Sequence, residues 1–174
     1  MKVGIIGSGG REHALCETLS KSKKISKIYC FPGNAGTEKI ARNISLDVDN
    51  FNTLKNFVIS EKIELIIVGP EKPLVDGIVD FFESINIPIF GPNKFASQLE
   101  GSKIFTKKIC EKYKIPTAKF GIFESKNEAK LFIKETKFPL VVKADGLAAG
   151  KGVYICESQK NASDAIEDIF NGKF

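Results

Sequence analysis

The strongest constraint on the fold of this chain is a recurring pattern: a short apolar run, a glycine turn, then a polar stretch with helical spacing. Val3 to Ile6 runs into Gly7-Ser8-Gly9-Gly10, and Ile28 to Phe31 runs into Pro32-Gly33-Asn34-Ala35-Gly36-Thr37. Ile63 to Val68 closes at Gly69-Pro70, and Ile87 to Phe90 closes at Gly91-Pro92. Runs this short, apolar almost throughout, suit strands buried on both faces. The segments 11–21, 50–62 (capped by Asn50) and 74–84 read as helices. Strands alternating with helices predict an α/β fold, a parallel sheet with helices on both faces. Ile44 to Val48 is expected to add a further short strand. Ligands of such sheets sit beyond the carboxyl ends of the strands, so the turns at 7–10, 33–36 and 69–71 are expected to converge on one ligand.

Near residue 100 the pattern changes. Helices are predicted over 102–114 and 126–136, the second with Leu131 and Phe132 inward, and a strand over 117–123. A final helix over 158–171 carries the stripe Ala162, Ala165, Ile166, Ile169 and Phe170. This part reads as α+β with antiparallel pairing, which divides the chain into domains at 1–100 and 101–174.

Between the last two helices lies Leu140-Val141-Val142-Lys143-Ala144-Asp145-Gly146-Leu147-Ala148-Ala149-Gly150-Lys151-Gly152-Val153. Small residues leave backbone N–H groups bare, and with Lys143 and Lys151 they suit a polyphosphate. The loop is not the P-loop of nucleotide triphosphatases. Three residues rather than four separate Gly146 from Gly150, Gly152 stands where a hydroxyl is needed, and the β-branched Val153 and Ile155 begin a strand instead of a helix. A glycine loop between two strands is expected to form a hairpin lid over phosphates. Alternation places Val141 and Lys143 on one face and Leu140 and Val142 on the other.

The turn Gly7-Ser8-Gly9-Gly10-Arg11-Glu12 approaches the dinucleotide fingerprint and departs from it twice. Glu12 replaces the third glycine, and Tyr29-Cys30-Phe31 stands where an acidic ribose ligand belongs. Both departures disfavour a nicotinamide oxidoreductase. A phosphate at the helix N-terminus remains well served by Gly9, Gly10 and Arg11. Glu12 could anchor Arg11 or bind a sugar hydroxyl, and His13 is open between a structural role and a ligand contact.

The 174 residues are 43% hydrophobic and 27% charged, which suits one large globular domain or two small ones. No apolar run reaches the length of a membrane span, and no signal peptide is expected. The net charge of +5 comes almost wholly from lysines interspersed with glutamates, so it implies a solvated surface and no nucleic-acid partner. Cys16, Cys30, Cys110 and Cys156 form no CxxC pair and read as reduced thiols of a cytoplasmic protein.

Taken in order, the motifs Gly7 to Leu15, Pro32 to Thr37, Val68-Gly69-Pro70-Glu71-x-Pro73-Leu74-Val75-x-Gly77-Ile78, Phe90-Gly91-Pro92, Gln98 to Lys103, Ile115 to Ala118 and the lysine loop resemble the glycinamide ribonucleotide synthetase (phosphoribosylamine–glycine ligase) family over essentially the whole chain. The resemblance implies a pre-ATP-grasp, Rossmann-like domain followed by the first, incomplete part of an ATP-grasp domain. It implies a ligase of purine biosynthesis that joins glycine to 5-phosphoribosylamine through a glycyl phosphate, with ATP and Mg2+ or Mn2+. Gly9, Gly10, Arg11, Glu12, His13, Asn34, Gly36, Thr37, Gly69, Pro70 and Glu71 would bind phosphoribosylamine. Lys103, Lys143, Gly146, Ala148, Ala149, Gly150, Lys151 and Gly152 would bind ATP. Metal and adenine ligands are expected beyond residue 174, so the 174 residues alone are expected to be inactive and the full-length enzyme monomeric. Another ATP-grasp carboxylate–amine ligase, or a non-catalytic phosphosugar- or nucleotide-binding module, is the alternative.

Overall fold

The structure, a computed structural model, describes residues 1–148 and 150–173. It divides into two compact units, Met1–Gln98 and Leu99–Phe174.

In the first unit, β1 (Lys2–Gly7) is followed by α1 (Gly10–Ser20), β2 (Lys27–Pro32), a 3-10 turn (Thr37–Lys39), β3 (Arg42–Asn43), α2 (Phe51–Glu61), β4 (Leu65–Val68), α3 (Glu71–Asp76), α4 (Ile78–Ser84) and β5 (Ile89–Phe90). The five strands form one parallel sheet in the order β3-β2-β1-β4-β5. β1 is central, and alternation along it divides the core. Val3 and Ile5 pack with Cys16, Ile28 and Cys30 on the α1 side. Ile6 packs with Phe31, Leu54, Val58, Ile78 and Phe82 on the α2 and α4 side. The chain winds outward from β1 to β3, then restarts on the other flank at β4. That reversal creates a topological switch point between the carboxyl ends of β1 and β4, where Gly7 and Gly69 lie.

Three expectations for this unit are corrected. The strand expected at 44–48 lies instead at Arg42–Asn43. Ile44 still donates to the Cys30 carbonyl, but β2 ends at Pro32, which has no N–H, and Leu46 and Val48 pack on the core as extended chain. The helix expected over 74–84 begins at Glu71 and is interrupted at Gly77, whose φ of 99° ends α3 and starts α4. Helix α5 (Lys94–Gly101), which was not expected, begins where the Asn93 side chain accepts from the Ala96 N–H. The boundary between the two units falls within it.

The second unit contains α6 (Lys103–Lys112), α7 (Lys126–Lys134), β6 (Leu140–Lys143), β7 (Val153–Cys156) and α8 (Gln159–Phe170). β6 and β7 are antiparallel, and Lys143 lies opposite Val153. Ala129 and Ile133 of α7 pack on Ala162, Ala165 and Ile166 of α8 and on Leu140 and Val142 of β6. Two readings are corrected here. Leu131 is 60% exposed and Phe132 also faces outward, because the inward stripe of α7 runs through 129 and 133, one turn apart. Residues 117–123 form no strand, since no other segment among the described residues runs beside them to complete a ladder.

Helices α7 and α8 are also tied by charge. Glu167 accepts from Lys126 at 2.7 Å and from Lys130, and these hydrogen bonds lower its carboxyl from 4.5 to about 2. A carboxyl held below its unfolded value adds stability above that value and loses it as the pH falls through the folded one. The second unit should therefore lose this contribution between about pH 4.5 and pH 2. Acid melts of Glu167→Gln should be flatter across that window than those of the wild type. Parallel curves would refute this role for the pair.

Candidate functional site

At the switch point of the first unit the three glycine turns are bonded into one structure. Gly33 donates its N–H to the Gly7 carbonyl at 3.1 Å, and Gly69 donates to Ile6 at 3.0 Å, extending the ladder beyond the strands. Helix α1 begins at this point. Gly9 is its N-cap, and the Glu12 side chain reaches back so that its Oε2 accepts from the Gly9 N–H at 2.6 Å. Glu12 is only 3% exposed. Its second oxygen, Oε1, is buried with no hydrogen bond and faces Gly69 on one side. The Arg11 Nε lies 4.0 Å from Oε1, and the Arg11 guanidinium bonds Glu71 Oε1 at 3.1 Å. The N–H of Glu71 itself, followed by Arg11, holds the Glu71 carboxyl below its ordinary range against the opposing effect of burial. Both partners of that pair are substantially exposed, so the pair orients Arg11 more than it stabilises the fold.

The 33–37 turn supplies the third wall. Asn34 donates from Nδ2 to the carbonyls of Ser8 at 2.9 Å and Gly9 at 3.3 Å, and its Oδ1 accepts from the N–H groups of Gly36 and Thr37. Thr37 is fully buried and donates to Asn43 Oδ1 at 2.7 Å. The His13 ring lies directly on Gly36, where a Cβ would come within 2.5 Å of Cε1. Pro70 caps α3. Residues 9–13, 34, 36, 37 and 69–71 are thus gathered at one end of the sheet, with Gly9, Gly10 and Arg11 exposed above a buried polar layer.

In the second unit the lysine loop joins β6 to β7. Its neck is closed by the Ala144 N–H donating to the Gly152 carbonyl at 2.8 Å. Gly146 and Gly150 take φ values of 86° and 78°, and the Lys151 N–H donates to Ala148. Lys103, the first residue of α6, reaches the loop and donates from Nζ to the Gly146 carbonyl at 2.8 Å. Lys143 ends β6 on the outward face with Val141, Val153 and Ile155, the last 77% exposed. Ala149 lies outside the described residues.

Two contributors had no assigned role in the sequence reading. Asp145 accepts from the Ser102 hydroxyl and the Ile104 N–H, fastening the loop to the start of α6. Burial works to raise its carboxyl, but hydrogen bonds from Ile104, Ser102, Gly146 and Lys103 outweigh that and hold it below the ordinary range. The signal was present, since a carboxylate in a loop of small residues needs hydrogen-bond donors from its own chain. Asn43 lies in none of the motifs, and only the fold brings it to the 33–37 turn.

A family model described as the phosphoribosylglycinamide synthetase N domain matches residues 1–100, and one described as the phosphoribosylglycinamide synthetase ATP-grasp (A) domain matches 101–174. The chain belongs to the phosphoribosylglycinamide synthetase family. Among its relatives, the phosphoribosylamine–glycine ligase of Caldanaerobacter subterraneus subsp. tengcongensis is 50% identical over 167 residues, 96% of this chain and 40% of the relative. The crystal structure of the Thermotoga maritima phosphoribosylamine–glycine ligase superposes with a TM-score of 0.74 at 36% identity, covering 97% of this chain and 38% of that one. The biotin carboxylase domain of the Hydrogenobacter thermophilus 2-oxoglutarate carboxylase shares the fold, with a TM-score of 0.74 at 22% identity over 98% of this chain and 40% of that chain. The chain thus spans about 40% of the length of the curated relatives it matches. Among the described residues no helix is long and apolar enough to cross a membrane.

Proposed function

We propose that this chain carries the phosphoribosylamine site and one jaw of the ATP clamp of a phosphoribosylamine–glycine ligase acting in the cytoplasm. The observation that carries the reading is the bonding of three glycine turns at the switch point of the sheet, with Arg11 held above them by Glu71. Backbone N–H groups at the start of α1 and the guanidinium suit a phosphate, and Glu71 and His13 lie at hand for the sugar. In the second unit, Lys143, Lys151 and the glycine loop suit a triphosphate. The apolar strip of Val141, Val153 and Ile155 beside Lys143 suits the flat face of a base. ATP would supply the phosphoryl group that activates the glycine carboxylate, and these lysines would stabilise charge gathered there. No group of three or more His, Cys, Asp and Glu that could hold a metal is found among the described residues.

Ribose 5-phosphate, a stable stand-in for the unstable amine, should raise the melting temperature of the first unit without ATP. At a hundredfold excess over Kd the added stability is about 2.7 kcal/mol. Arg11→Ala should abolish most of that shift. Ribose matching ribose 5-phosphate, or no shift with either, would overturn the assignment of the site.

A further inference from the structure

Asn34 belongs to a turn that the functional reading gives to the substrate, yet every polar atom it carries is already engaged within the fold. A side-chain amide offers two donors and an oxygen with two lone pairs. Nδ2 spends both donors on the Ser8 and Gly9 carbonyls, and Oδ1 accepts from Gly36 and Thr37 at 2.7 and 3.0 Å. The two backbone N–H donors also fix which end of the amide is oxygen. Its own N–H goes to Thr37 Oγ1 at 2.8 Å, and its carbonyl accepts from Asn43 Nδ2 at 2.8 Å. Nothing is left on this residue to hold a ligand without breaking a bond that holds the site.

The consequence lies in the peptide planes of the glycine turn. A trans peptide points its N–H opposite its carbonyl. Asn34 draws down the Ser8 carbonyl and shares the Gly9 carbonyl with the His13 N–H, the first bond of α1, so it turns the N–H of Gly9 the other way and helps the helix to hold that of Gly10 there. Glu12 Oε2 takes the Gly9 N–H. Gly10, the first residue of α1, has no carbonyl within the helix to bond, and nothing beyond its chain neighbours and the backbone of its own helix comes within 4 Å of where its Cβ would be. We propose that Asn34 is a positioning residue that binds no substrate itself and acts through the Gly10 N–H, aiming it at the phosphate. Asn43 extends this control. It is anchored by the Thr37 hydroxyl, and it fixes Asn34 from an edge strand that has no part in the motifs. The proposal rests on the reading that a phosphosugar binds at this turn.

Asn34→Asp tests it, because the shape and both acceptor bonds are kept while the two donors to Ser8 and Gly9 are replaced by a carboxylate oxygen that those carbonyls repel. On the 15N-labelled chain without ligand, hydrogen exchange at the Gly9 amide should speed up and the Gly10 amide resonance should shift, while the circular dichroism spectrum stays unchanged. Titration with ribose 5-phosphate should show roughly tenfold weaker binding, the scale of one lost hydrogen bond. The weakening should persist in 1 M salt, where charge repulsion is screened beyond about 3 Å. Asn43→Asp, which replaces its donor to the Asn34 carbonyl by a repelled carboxylate oxygen, should move the same two amides in the same direction and weaken binding by about threefold. Unchanged Gly9 exchange together with an unmoved Gly10 amide resonance in both variants would overturn the proposal, as would affinity returning to the wild-type value in high salt. Failure of the wild type to bind ribose 5-phosphate would overturn the functional reading alone, because the exchange comparison still decides whether Asn34 shapes the turn.

Discussion

Gly69→Ala is expected to be among the most damaging single changes in the first unit, costing about 3–5 kcal/mol of stability and abolishing ribose 5-phosphate binding. A Cβ at this position would stand 2.0 Å from Glu12 Oε1 and 2.6 Å from its Cδ. Glu12 has nowhere to retreat, since it is buried and its other oxygen holds the Gly9 N–H. Displacing it would leave a buried carboxylate and the N-cap of α1 unsatisfied together. Urea denaturation of the variant measures the cost. Glu12→Ala combined with Gly69→Ala should be less damaging than the sum of the two, because the clash disappears with the carboxylate. A Gly69→Ala protein within 0.5 kcal/mol of wild type would show that the packing of Glu12 on this glycine is not needed.

Gly33→Ala should cost about as much for two separate reasons. The φ of 78° puts an L side chain in the left-handed region, at about 1–2 kcal/mol. Its Cβ would also lie 2.2 Å from Asn43 Oδ1 and 2.7 Å from Thr37 Oγ1, in the middle of the buried network. Breaking that network adds about 1–3 kcal/mol for unsatisfied buried groups. The side-chain amide signals of Asn43 and Asn34 should shift or broaden even where the variant remains folded. A loss of no more than about 1 kcal/mol with those signals in place would mean that the turn can relax around the methyl group.

Much of the fold was legible because its signals are local. Short apolar runs closed by glycine specify strands buried on both faces, and Asn50 and Ser158 cap helices where their side chains accept from Thr53 and Asn161. The misread elements depended on neighbours. Residues 117–123 have the composition of a strand, but a strand exists only when another chain segment supplies the ladder. Ile44 to Val48 has the right residues next to a partner that ends at Pro32. In α7, Leu131 and Phe132 looked like core by type, whereas the smaller Ala129 faces α8 because the close packing of two helices favours it.

The candidate site divides in the same way. The glycine turns, Arg11, and the lysines of the second unit could be named from spacing, because backbone N–H groups and cationic side chains announce anion chemistry wherever they fall. The partition of labour among them could not. That Glu12 is buried against Gly69, that Asp145 ties its loop to α6, and that Asn43 governs a turn from an edge strand are properties of side chains brought together across the fold. The sequence by itself determined the α/β architecture of the first unit and the family, since those follow from local backbone preference and residue type. Only the tertiary structure decided which polar atoms are already spent and which remain free to bind, because hydrogen-bond capacity is finite and is allotted by three-dimensional proximity.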